Sequence, residues 1–315
     1  MVRILIRVDG ARTRMSLGTS SSRPGFFDRA KTGWTLTKDS ASVIRAHPRL
    51  LVFPLLAAVA SAGFFVVFFF PLLIANLIGS GVEYVGLFVV YFATTFVSTY
   101  AAAALVHATN EVFHGREPSI PGSLKAVRGR LGPIVVWSLI SATVSVVLKA
   151  MEDSDNPIAG LLRSIFAVGW AIMTFFIVPV IVFEDVSVTS MFSKSASAFR
   201  DTWGETIGAG FGITLIVTLV GVGLALGALA VSVPVAAVFP GPGILLTVVL
   251  LAGVVAFTYL LSQTIWGVAK TALYVYAVEG RRPDQFANFD FETLGGRTEG
   301  KASPGNAGTY DTLDR

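Results

Sequence analysis

Residues Leu50 to Val82 read LLVFPLLAAVASAGFFVVFFFPLLIANLIGSGV, thirty-three consecutive positions without a formal charge. A bilayer's hydrocarbon core is about 30 Å thick and needs about 20 helical residues to cross. This stretch is long enough to be a first membrane span. Arg45, His47 and Arg49 stand just before it and the acidic Glu83 just after, a bias that places its start in the cytoplasm by the positive-inside rule. Every later crossing takes its direction from this one.

Outward from that anchor the same pattern recurs. Tyr84 to Asn110 is a second uncharged stretch, and its Thr94, Thr95, Ser98, Thr99 and Ala101 to Ala104 are small enough to pack closely against another helix. A third span covers Leu131 to Leu148, with Lys149 able to snorkel at its outer end. Glu152, Asp153, Asp155, Asn156 and Pro157 form an acidic turn, and a fourth span runs from Ser164 to Phe183. Pro179 predicts a kink there because proline removes a helical hydrogen bond. Thr206 to Ala269 is sixty-four residues without a charge, about twice one crossing. Pro234 and Pro240-Gly241-Pro242-Gly243 divide it into a fifth span near Thr206 to Val231 and a sixth near Ile244 to Trp266. On the fifth, Gly208 with Gly212 and Gly223 with Gly227 are small-xxx-small pairs that predict close helix contact, within the chain or in a homo-oligomer.

The fold class is therefore all-α: a polytopic membrane protein of six transmembrane helices. Composition agrees, at 53% hydrophobic and only 14% charged residues against about a quarter charged in soluble domains. Amphipathic helices precede the odd-numbered spans. Phe27, Ala30, Trp34, Thr37, Ala41 and Ile44 give the apolar face of the first, Ile120, Leu124, Val127 and Leu131 that of the second. Val188, Met191, Phe192, Ser195, Phe199 and Trp203 give the third, and all three suit the cytoplasmic interface. Of the 24 Lys and Arg residues, only Lys149 and Arg163 fall on the outer side, so both termini are expected in the cytoplasm of a cell-membrane protein. The anticipated domains are a disordered, Arg- and Ser-rich tail over residues 1–24, the membrane domain over 25–283 and a disordered polar tail over 284–315.

The run Gly25-Phe26-Phe27-Asp28-Arg29-Ala30-Lys31-Thr32-Gly33-Trp34 with His47-Pro48 resembles the start of an uncharacterised prokaryotic family of six-span integral membrane proteins. Pro179, Glu184-Asp185, Ser193 to Ser195, Trp203, Ala272-Leu273-Tyr274, Gly280 and Pro283 are similar to its later features, so the resemblance covers residues 25–290. More distantly, a proline-bearing span, an acidic residue, a Ser-rich helix and a tryptophan resemble the membrane domain attached to glycerophosphodiester phosphodiesterases. That domain is not the catalytic one, and the resemblance implies no activity.

Chemistry-bearing motifs are few. Without cysteine, disulfides and thiolate chemistry are excluded. No Walker loop, nucleophile elbow or dinucleotide fingerprint occurs, so nothing in the sequence supports an enzyme, and no cofactor is expected. His107, Glu111 and His114 share one helical face and offer a divalent metal three donors, but HExxH is absent and no fourth ligand is identifiable. The other candidate is a polar cluster at the cytoplasmic face: Glu111, Glu184, Asp185 and Lys270, with Lys270 expected to pair with Glu184 or Glu111. The basic residues are topology signals that imply anionic lipid headgroups as partners rather than nucleic acid. The sequence favours a non-enzymatic membrane-organising or accessory protein. A transporter for an uncharged or lipid-like substrate comes second and an intramembrane enzyme third.

Overall fold

Six helical stretches are long and apolar enough to cross a membrane, in the predicted order. They belong to a computed structural model that describes residues 26–74, 83–153, 157–185, 187–203 and 209–291. Helix α1 (Phe26–Ala46) precedes a short 3-10 turn, Pro48–Leu51, which leads into the first span, α2 (Val52–Ile74). The second is α3 (Glu83–Phe113), followed by the short α4 (Ile120–Val127) and the third span α5 (Leu131–Glu152). The fourth is divided into α6 (Pro157–Met173) and α7 (Ile177–Phe183). Helix α8 (Val188–Trp203) then precedes the fifth and sixth spans, α9 (Ala209–Val238) and α10 (Pro240–Glu279). The described residues contain no strand.

Six crossings bring α1, α4, α8 and the end of α10 to one side, the basal face. The local chemistry sets the boundaries there. Ser119 caps α4 by accepting a hydrogen bond from the Gly122 amide at 3.2 Å. Gly115 and Gly280 take left-handed conformations, φ 72° and 69°, that only glycine adopts without strain, and they end α3 and α10. With 40 residues, α10 is about 60 Å long. It is long enough to cross a membrane and continue past it, beyond the expected span end near Trp266.

The predicted kink in the fourth span is a full break. Pro179 has no amide hydrogen for the carbonyl of Phe175, and its ring crowds that carbonyl. Residues Thr174 to Phe176 tighten accordingly, with the Ile177 amide on the Thr174 carbonyl at 3.1 Å. The Phe176 amide is buried at the break and donates to Ser195 Oγ of α8 at 3.0 Å. In a bilayer a freed backbone group needs such a partner.

Four expectations are corrected. The buried residues of α1 include Leu36, Thr37, Asp39, Ser40, Val43 and Ile44, so Thr37 and Ile44 fall as expected while Trp34 is 57% exposed, because the helix packs sideways on α9 and α10 instead of lying free on lipid. Pro234 sits inside α9, and the turn comes at Phe239. A Cβ on Gly243 would come within 2.1 Å of Ala236 Cα, so glycine alone permits this tight return. Within the chain Gly223 and Gly227 have nothing within 4 Å of a built Cβ, and among the described glycines of α9 the close approach is at Gly221, 2.9 Å from Thr258 Cγ2 of α10. Gly208 lies outside the described residues.

The tail expected to be disordered from residue 284 is instead folded through Phe291. Phe286, Phe289 and Phe291 are buried against the basal core, with Phe286 edge-on to Phe113 at 5.9 Å. Asp39, 2% exposed, accepts from both the Asn288 amide, at 3.1 Å, and its side-chain nitrogen, at 2.8 Å. Gln285 donates to the Val112 carbonyl at 3.0 Å. The segment thus ties α1 to the ends of α3 and α10. Residues 1–25 and 292–315 lie outside the described residues.

Candidate functional site: an internal cavity at Lys270

A cavity of about 410 Å³ opens between α2, α3, the α6–α7 break and α10, within the range of about 300–1,000 Å³ usual for small-molecule sites. One face of α3 supplies Thr94, Thr95, Ser98, Thr99, Ala102 and Leu105, positions spaced at helical intervals. The facing stripe of α10 is Tyr259, Gln263, Trp266 and Lys270, at i, i+4, i+7 and i+11. Pro54 and Ala57 of α2 and Trp137 of α5 complete the apolar walls, and Thr174 to Pro179 bring the helix break to the cavity's edge.

Some of the lining hydroxyls are occupied within their own helices. Thr94 donates to the Val90 carbonyl at 2.7 Å and Thr174 to the Trp170 carbonyl at 2.8 Å. Ser98 and Gln263 are exposed to the cavity and are free to hydrogen-bond a guest. Lys270 stands about 14 Å along the axis from the end of α10. Its Nζ lies 4.4 Å from the ring centre of Phe175 and 5.7 Å from that of Trp266, and these aromatic faces attract it through their quadrupoles.

The carboxylates expected to pair with Lys270 are engaged elsewhere. Glu184 accepts from Tyr274 Oη at 2.7 Å and forms an ion pair with Lys194 of α8. Glu111 pairs with Arg116 at 3.1 Å, and the fully exposed Asp185 with Arg130 at 3.2 Å. The expected clasp therefore does not form, because α10 turns Lys270 toward the break in the fourth span while Tyr274, one turn on, meets Glu184. Lys270 makes no ion pair with any described residue.

The possible metal set is likewise dispersed into local bonds. His107 Nδ1 lies 3.4 Å from Ser123 Oγ, and His114 Nδ1 lies 2.7 Å from the Asn110 carbonyl. Among the described residues no group of three donors is arranged to hold a metal.

The sequence placed Lys270 at the cytoplasmic face because it is the first charge after sixty-four neutral residues. A helical stripe of Tyr259, Gln263, Trp266 and Lys270 on an otherwise apolar helix was the available signal. Nothing local to α10 reveals that Thr95 and Ser98 face it.

Six helices long and apolar enough to cross a membrane, with a mostly apolar cavity between them and capping helices on one face, define a polytopic all-α membrane protein. The chain belongs to DUF6159, a family of unknown function, which it matches over residues 81–284. That segment holds every span but the first and most of the cavity, whereas the Gly25–Trp34 signature lies before it. No curated protein and no solved structure matches the chain.

Proposed function

We propose that the protein binds, and carries within the membrane, a lipid-like amphiphile with an anionic head. The observation that supports this reading is Lys270: a cation in the cavity wall, held by aromatic faces and without a carboxylate partner among the described residues. A cation in a mostly apolar cavity wall is expensive unless it is paired, and ionisable residues between membrane helices mark ligand or ion paths by default. An anionic headgroup supplies the missing partner, Gln263 and Ser98 offer it further hydrogen bonds, and Ala57, Leu105 and Trp137 accept an apolar chain. The sequence ranked an accessory role ahead of transport, and the cavity supports taking the transport reading first. A charged head also replaces the uncharged substrate first considered. The charge bias further supports a cytoplasmic basal face in the cell membrane.

Trp137 and Trp266 line the cavity and make binding visible. With the full chain in detergent, brominated stearate should quench tryptophan fluorescence with an affinity about tenfold or more above that of its methyl ester, since a hydrogen bond to a charged group contributes about 1.5–3 kcal/mol. Lys270→Met should erase that preference and Lys270→Arg retain it. Equal affinity of the wild-type chain for acid and ester would end the proposal.

A further inference from the structure

A second cavity, about 730 Å³, lies on the opposite side of α10, between α1 and the α9–α10 hairpin. Its two halves differ in chemistry. The α1 side presents Trp34, Lys38 and Arg45 along one helical stripe, and the other side presents Ile216 and Val220 of α9 with Leu261 of α10. Lys38 and Arg45 are exposed and form no ion pair with any described residue. The carboxylate nearest in sequence, Asp39, is turned to the other side of α1 and held by Asn288. Among the described residues no acidic side chain lines the cleft.

We infer that this cleft is a binding site for one anionic phospholipid of the basal leaflet, its phosphate between Lys38 and Arg45 and an acyl chain along Val220 and Leu261. The inference is independent of the Lys270 cavity. Charge complementarity selects the headgroup: two cations without a counter-charge at the rim attract an anionic lipid and gain little from a zwitterionic one. The floor selects a lipid over a free anion, because Ile216 and Val220 are one turn apart and continue the cleft along α9 into lipid-facing surface, with Val220 43% exposed. Trp34 beside the two cations suits headgroup depth. The lipid would fill the gap between α1 and the hairpin, so it would act as part of the basal packing.

Native mass spectrometry of the purified full chain, with phosphatidylglycerol or phosphatidylcholine added in equal amounts, tests this. We expect one retained phosphatidylglycerol at about tenfold preference. Lys38→Gln with Arg45→Gln should abolish the preference, and both side chains are exposed, so the fold should survive, as a circular-dichroism melt would verify. Val220→Trp keeps both charges but fills the floor, and should lower retention of either lipid. Lys270→Met should leave retention unchanged, which separates this site from the internal cavity. A preference that survives the double exchange would overturn the inference. So would its loss in Lys270→Met, or displacement of the lipid by millimolar inorganic phosphate alone.

Discussion

Helices α3 and α10 cross the same bundle, yet the most apolar window of α3 is 39% buried and that of α10 is 0% buried. The less apolar helix is the more enclosed one. In water the ranking would be reversed, but lipid tails are as apolar as leucine, so burial between membrane helices is selected by small and weakly polar residues. Thr99, Ala101, Ala103, Ala104, Ala108 and Thr109 of α3 are buried, whereas Leu245, Val248, Val249 and Val255 of α10 face outward. The contrast divides the whole molecule. Its basal half is knit by hydrogen bonds and aromatic contacts among α1, α3, α7, α8, the end of α10 and the C-terminal segment. Its outer half consists of helices standing in lipid.

The largest effect should come from the basal half, at Asp39. Asp39→Ala would remove both hydrogen bonds to Asn288 and release the folded segment from α1. A loss of about 2–3 kcal/mol is expected, read as a clear drop in melting temperature. It should be accompanied by new proteolytic cleavage after Pro283. An unchanged digestion pattern would mean that the buried phenylalanines hold the segment without the latch.

Ser195→Ala should cost somewhat less, about 1–3 kcal/mol, because the Phe176 amide is left buried without an acceptor. If the variant melts like the parent, the break in the fourth span does not depend on α8, and the basal half is less tightly knit than the contrast holds. At the small end, Gly227→Leu in the outer half should move the melting temperature by less than the scatter of replicate melts, since nothing lies within 4 Å of its added Cβ. A large drop would show that this face meets another copy of the chain and would remove part of the contrast.

The outer half was the legible half. Long uncharged runs, turn residues and charge bias are properties of contiguous sequence, and they located all six spans and the hairpin order. The basal half depends on pairings between distant residues. Asp39 with Asn288 joins positions 249 apart, and Tyr274 with Glu184 positions 90 apart. The polar cluster of Glu111, Glu184, Asp185 and Lys270 was identified as a set of residues, but not by partner, because each carboxylate found a nearer cation in Arg116, Lys194 or Arg130. The C-terminal segment was read as disordered from its Gly, Asp and Thr content. Its three phenylalanines, Phe286, Phe289 and Phe291, carried the opposite signal.

The hydrogen bond from Phe176 to Ser195 has a mechanical side. It joins a surface helix to the one place where a membrane span is already broken, and that place borders the internal cavity. Glu184 reinforces the joint from the far end of α7 by holding Lys194, one residue before Ser195. A force that tilts α8, whether from bilayer curvature or from a docked protein, therefore has a direct hydrogen-bonded route to the break through Phe176, beside the packing of α8 on α6 and α10. Helix α8 serves as a handle on the cavity wall.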